Sequence, residues 1–172
     1  DLPLRPARDE DWPDITELDA RAFALPAPLP PDETAEFRSA APDEDTLVVR
    51  DEGSPGSPLV AFSLFHRLPL SVPGGAVTTA AGLSWVSVAA THRRRGLLRQ
   101  MMSRHFSSWE AAGLPLAVLT ASEGGIYERF GFGPACFAFK VQVDPHAQLR
   151  GAAPADSRVR YGTVEQVAAH LP

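Results

Sequence analysis

Cysteine is nearly absent from this 172-residue chain. Cys136 stands alone, so no intrachain disulfide can form, and a reducing compartment, the cytoplasm, fits best. Neither Cys136 nor the five scattered histidines fall into a metal-ligand spacing, so no metal is expected. No apolar run reaches the roughly 20 residues of a membrane helix, and the N-terminus has no signal-peptide anatomy, so no membrane partner is expected. Lysine is almost missing too. Lys140 stands beside fifteen arginines, and that skew makes any arginine run less surprising. An excess of positive charge is lacking: the formal net charge is −5, which argues against a dedicated nucleic-acid binder. No repeat of about 20–50 residues is visible, which excludes a solenoid.

What remains is a globular composition, 44% hydrophobic and 22% charged. Leu2–Ala7 predicts a short strand. Asp9 to Phe23 predicts a helix, with Ile15, Leu18, Ala22 and Phe23 at helical spacing and acids crowding its first turn. The prolines of Leu25–Pro31 break the chain before a second short helix at Asp32–Ala40. Thr46–Arg50 and Pro58–Leu70 read as a hairpin pair, and Ala76–Val88 as a third strand. Gly82 within that strand points to a bulge or a close backbone approach. The stretch from Thr91 to Ala112 contains the best helix, with Leu97, Leu98, Met101, Met102, His105, Phe106 and Trp109 on one face and Gly113 ending it. Leu116–Thr120 is a buried strand, Ser122 caps a short helix that ends at Gly131, and Pro134–Val143 is a last strand.

The tail reads differently. Asp144–Ser157 is linker-like, Arg158–Tyr161 is a candidate strand, and Thr163 opens a capping box with Gln166. The chain ends two turns later, and it starts at Asp1 rather than Met. We expect a fragment of a longer protein, with one domain over residues 1–144 and, over 145–172, a linker and the start of a truncated second unit. Antiparallel strands followed by a β-α-β crossover predict a mixed-sheet α/β layer architecture.

Two segments carry candidate chemistry. The first is the strand Trp85-Val86-Ser87-Val88, the loop Ala89-Ala90-Thr91-His92, and Arg93-Arg94-Arg95-Gly96, which is expected to open the helix. A helix start offers free N–H donors and partial positive charge, which suit a pyrophosphate. Gly96 lets backbone approach phosphate oxygens, and arginines add bidentate donors. The other reading is an ordinary helix start with a solvated arginine face. Against it, cations at a helix start oppose the macrodipole, and a first-turn glycine costs ~1 kcal/mol relative to alanine. The phosphate loop GxxxxGK[ST] and the dinucleotide turn GxGxxG are both missing.

The second segment is Thr120-Ala-Ser-Glu-Gly-Gly-Ile-Tyr127-Glu-Arg-Phe130-Gly-Phe132-Gly133. Tyr127 and Phe130 share a helix face. Both read equally as core aromatics, although a buried tyrosine needs a hydroxyl partner. A glycine pair ahead of Tyr127 weakens the helix, as functional clearance sometimes demands.

Arg93-Arg94-Arg95-Gly96-Leu97-Leu98 behind its strand, followed by Tyr127 ahead of Gly131-Phe132, resembles the GNAT acetyltransferases. Leu98 stands where that family usually has a small residue. The longer strings Thr91–Gln100 and Ala121–Pro134 resemble the enhanced intracellular survival proteins of actinobacteria. The resemblance covers roughly Leu2–Asp144. It implies a mixed sheet of about six to seven strands flanked by helices, with a V-shaped acyl-CoA cleft. It implies acetyl-CoA as cosubstrate, bound by Val86, Ser87, Val88, Arg93, Arg94, Arg95, Gly96, Leu97 and Ser122. It implies Tyr127 as the catalytic acid and a general base at the far C-terminus of the full chain. It also implies a second GNAT-like domain and a homo-oligomer, often a hexamer, when full length.

The resulting expectation is direct acetyl transfer to a primary amine of an aminoglycoside, a polyamine or a lysine. Val86 and Val88 would pair the pantetheine arm, and an N–H near Val86 would support the oxyanion. The acids Asp9, Glu10, Asp11, Asp14, Glu17 and Asp19 would either attract a polycationic amine or simply be solvated. Phe23 and Trp85 would either line the acceptor pocket or belong to the core. The rival function is a non-catalytic acyl-CoA-binding or assembly module.

Overall fold

Five strands share one sheet in the computed structural model, which describes residues 2–25, 30–40, 42–121, 123–136, 142, 144, 146 and 162–169. Their order follows the chain: β1 (Leu4–Pro6), β2 (Thr46–Arg50), β3 (Leu59–Ser71), β4 (Val77–Val88) and β5 (Leu116–Leu119). Helices α1 (Trp12–Phe23) and α2 (Pro31–Ala40) connect β1 to β2. Helix α3 (Leu97–Ala111) crosses from β4 to β5, and that crossover makes β4–β5 the one parallel pair in an otherwise antiparallel sheet. The sheet is therefore mixed, as expected, with five strands among the described residues rather than six to seven. The last expected strand, Pro134–Val143, falls largely outside the described residues, and Arg158–Tyr161 entirely so.

The helices cover opposite faces of the sheet. Trp12, Ile15 and Leu18 of α1 pack with Val48, Phe62 and Leu64. Leu97 and Met101 of α3 pack with Leu47, Val49 and Ala61, and Met102 and Trp109 with Phe65, Ala81 and Leu83. Val48 and Val49, one residue apart, thus feed opposite cores, as strand alternation requires. Each fully buried side chain of this size contributes about 1.5–3 kcal/mol of burial. His105 is buried within the α3 face, hydrogen-bonded to Ser63 Oγ at 2.8 Å and stacked on Trp109. Burial pushes its pKa down to about 4 and keeps the ring neutral.

Helix α1 is tied to the sheet by charge. Asp11, fully buried, accepts from Arg5 at 2.6 Å and from Arg50 at 2.9 Å, and Arg50 also reaches Asp14 at 2.6 Å. Burial alone raises the Asp11 carboxyl, but the hydrogen bonds from Arg5 and Arg50 outweigh it and hold it below the ordinary carboxylate range. Asp9 pairs with Arg38, and Glu17 with Arg21. Asp9, Asp11, Asp14 and Glu17 of the acidic run thus have arginine partners within the fold, and Asp19 is treated below.

The chain divides into two compact units, Asp1–Pro134 and Ala135–Pro172. In the second, Thr163 caps α4 (Val164–Ala168) reciprocally with Gln166. Among the described residues no helix is long and apolar enough to cross a membrane.

Candidate active site

The site begins with an extra residue in β4. Phe62 pairs with Ser87 and Leu64 with Ser84, so Trp85 and Val86 together oppose Ser63 alone. This is a bulge. Trp85 takes a left-handed φ of 48°, a strained conformation for a non-glycine residue. The bulge turns β4 away from β5: their parallel pairing ends at Leu83–Leu119, while β4 runs on to Val88. Beyond Leu83 the far edge of β4 has no strand beside it among the described residues, and a gap lined by Val86, Ser87 and Val88 lies there.

The loop after β4 differs from expectation. Ala90–His92 is a 3-10 turn, Arg93 is extended, Arg94 is left-handed at φ 62°, and Gly96 caps the helix at φ 79°. Helix α3 therefore starts at Leu97, after the arginines expected to open it. Gly96 is present because its backbone is left-handed, and it costs the helix nothing in its first turn. A Cβ there would meet no atom within 4 Å, so this side of the backbone is open. The N–H groups at the start of α3 have no partner within the helix, and Gly96, Leu97 and Leu98 line the same gap. His92 pins the loop, with Nε2 3.3 Å from Asp51 and Nδ1 2.8 Å from Thr91 Oγ1.

Two grooves run along the gap. One, about 910 Å³, is bounded by Val86, Ser87, Val88, Gly96, Leu97 and Leu98 and carries four guanidinium groups: Arg93, Arg94, Arg99 and Arg129. Arg95 is exposed and lies outside this lining. The other, about 490 Å³, is bounded by Phe23, His66, Ser84, Trp85 and Thr120, and its one acidic side chain is Glu123. Five residues belong to both: Phe23, Val86, Glu123, Ile126 and Tyr127. A groove rich in arginine and one without arginine thus meet at Tyr127, with Glu123 on the border of both. A third depression, about 470 Å³, lies between α1 and the ends of β3 and β4, lined by Glu17, Arg21 and His92; Tyr127 is not part of it.

Tyr127 sits between two 3-10 turns, Gly124–Ile126 and Glu128–Phe130, rather than on the expected α-helix. The glycine pair ahead of it and the left-handed Gly131 after it leave no room for regular α-helix. Its ring packs edge-on against Phe132 at 6.0 Å and joins the Trp109 cluster. Burial raises its pKa, which keeps the hydroxyl protonated near neutrality. Ser122, expected beside it, lies outside the described residues.

Phe23 is half exposed at the end of α1, which places it in the groove and not in the core. Trp85 does both: its ring lies edge-on to Phe62 at 6.3 Å, and it borders the groove. Arg99, Glu123, Arg129 and His66 were not singled out in the sequence. Arg99 follows from helical spacing after Gly96. His66 had no sequence signal, because only strand register carries it to the groove.

Comparisons with known proteins agree on one family. The profile described as "Acetyltransferase (GNAT) domain" matches residues 3–135. The chain is 42% identical over 157 residues to "N-acetyltransferase Eis" of Mycobacterium tuberculosis strain H37Ra, covering 88% of this chain and 39% of that protein. It is 39% identical over 166 residues to an uncharacterized N-acetyltransferase of Streptomyces coelicolor, covering 95% of this chain and 40% of that one. The crystal structure of Eis1 from Mycobacterium abscessus superposes with a TM-score of 0.64 at 26% identity, over 77% of this chain and 31% of that one. The chain thus spans about two fifths of the length of the curated relatives it matches.

Proposed function

Because the chain belongs to the GNAT acetyltransferase family, we propose that it moves an acetyl group from acetyl-CoA directly to a primary amine, with Tyr127 as general acid. The observation that carries this reading is the meeting of an arginine-lined groove and a second groove without arginine at Val86 and Tyr127. Four arginines along one groove suit a pyrophosphate, and the Glu123 carboxylate on the border of both suits an ammonium. On this reading residues 1–144 are the transferase domain, and 145–172 hold a linker and the start of a second GNAT-like domain.

Acetyl-CoA supplies the thioester and the leaving thiol; the chain supplies the rest. Arg93, Arg94 and the amides around Gly96 and Leu97 hold the pyrophosphate, with Arg99 and Arg129 adding charge. The unpaired edge of β4 at Val86 and Val88 hydrogen-bonds the peptide-like arm as a missing strand would. The Val86 amide stabilises negative charge on the carbonyl oxygen during attack. Tyr127, kept protonated by burial, delivers its proton to the departing sulfur. Phe23 and Trp85 give the acceptor groove its apolar walls, and Glu123 its charge. Aminoglycosides, polyamines and lysine side chains are the acceptor classes, each a primary amine that carries positive charge at neutral pH.

CoA release by the full-length protein, over a panel of those amines, tests the proposal. Turnover with at least one of them is the expected result. Tight acetyl-CoA binding without CoA release on any amine would instead make the domain a binding or assembly module.

A further inference from the structure

The loop that carries the arginines is neither strand nor α-helix. At its root Ala89 N–H donates to the Val60 carbonyl and His92 N–H to the Ala89 carbonyl, both at 2.8 Å. From there Arg93 runs extended, and Arg94 and Gly96 are left-handed, conformations that neighbouring groups have to hold. His92 is the buried side chain of this loop, and it reaches the turn between β2 and β3. That turn is well tied. Asp51 N–H donates to the Pro58 carbonyl at 2.9 Å, and its carboxylate accepts from Ser54 Oγ at 2.6 Å and Gly53 N–H at 3.1 Å. The Ser54 hydrogen bond, with His92 adding to it, holds the Asp51 carboxyl below the ordinary range, so the carboxylate only accepts. Nε2 of His92, 3.3 Å away, therefore carries a hydrogen, and Nδ1 meets the Thr91 hydroxyl at 2.8 Å. A neutral ring accepts from that hydroxyl and a charged ring donates to it, so the contact survives in both states.

We propose that His92 is a positioning residue for acetyl-CoA, a role that rests on the transferase reading above. By tying the loop to the β2–β3 turn it fixes the path of Arg93 and Arg94, whose guanidinium groups line the arginine-rich groove. It acts on the pyrophosphate end of the cosubstrate and leaves the thioester and Tyr127 alone. A supporting side chain of this kind pre-orders the groups that touch the ligand, so its loss weakens binding and does not slow the chemistry.

The test uses the full-length protein with three variants. His92→Phe keeps a ring and loses both hydrogen bonds. His92→Gln keeps an N–H donor near the Nε2 position. Thr91→Val removes only the Nδ1 contact, at an exposed residue outside the groove lining. Calorimetry reads acetyl-CoA affinity, and turnover is compared between acetyl-CoA and acetylpantetheine, a donor with the thioester arm and no pyrophosphate. We expect acetyl-CoA affinity to fall by about 10–30-fold in His92→Phe and about 3–5-fold in Thr91→Val, with His92→Gln between His92→Phe and wild type. kcat with acetyl-CoA, and kcat/KM with acetylpantetheine, should stay at wild-type values. Unchanged acetyl-CoA affinity in His92→Phe or in Thr91→Val overturns the proposal. So does an equal loss with both donors, which makes His92 a residue of the fold alone. Should His92→Phe fail to fold, Thr91→Val and His92→Gln decide. A wild-type protein that binds acetyl-CoA and releases no CoA with any amine removes the transferase reading, and the calorimetry still judges His92.

Discussion

Ser87 on β4 lies against Asp19 on α1, its hydroxyl 3.5 Å from the carboxylate. Asp19 is buried, and no cation pairs with it among the described contacts. Burial raises its pKa, and the Ser87 hydrogen bond only partly offsets that. The folded state therefore holds this proton more tightly than the unfolded chain, and stability falls as pH rises from the ordinary aspartate range through the raised value. Asp19→Asn keeps the shape and removes the buried charge. Its melting temperature should exceed that of the wild type at pH 7, and the two should converge toward about pH 4. A variant less stable at every pH would mean that the carboxylate holds the strand by its charge.

Tyr127→Phe removes the proposed proton donor and leaves the ring against Phe132. In the full-length protein kcat should drop by about 10²–10⁴-fold while acetyl-CoA affinity stays near wild type. Steady-state kinetics alongside calorimetry separate the outcomes. Unchanged kcat with lowered stability would return Tyr127 to the core.

How much of this was legible beforehand depended on the physical range of each signal. The faces of α1 and α3 followed from Ile15, Leu18, Met101 and Trp109, because helical spacing is a local pattern. The parallel β4–β5 pair followed from the long helix between two strands. The start of α3 did not: cations at Arg93–Arg95 look alike inside a helix and before one, and only the positive φ of Arg94 and Gly96 decides. The bulge at Trp85–Val86 depends on what Ser63 faces across the sheet, which no spacing within β4 reveals. Pro69 inside β3 is tolerated for a similar reason. β2 pairs only as far as Leu64, so that edge of β3 faces no β2 ladder where the proline falls.

Gly96→Glu tests the cationic loop. The substitution fits the space but strains the backbone at φ 79° and puts negative charge among arginines proposed to hold phosphate. Acetyl-CoA affinity should weaken by roughly 2–4 kcal/mol, a lost anion contact plus a new repulsion. Calorimetry on a variant shown to be folded decides it; equal affinity would remove the pyrophosphate assignment.

Gly82→Ala addresses the floor of the acceptor groove. The added methyl displaces the tip of Leu68, which is 40% exposed and free to swing. The fold should survive, acetyl-CoA affinity should not change, and KM for the amine should rise by about 3–10-fold. An unaltered KM would place the acceptor elsewhere.

The extra residue in β4 acts like a stop sewn into a zipper. Removing Trp85 would restore one-to-one pairing with β3 and let β4 continue flat beside β5. The amides and carbonyls of Val86 and Val88 would then face a neighbouring strand, and Thr120 would carry the ladder onward past Leu119. Such a chain would gain hydrogen bonds and lose its cleft. Natural variation in this family should therefore tolerate substitution at position 85 far better than deletion, because what matters there is the presence of a residue more than its identity.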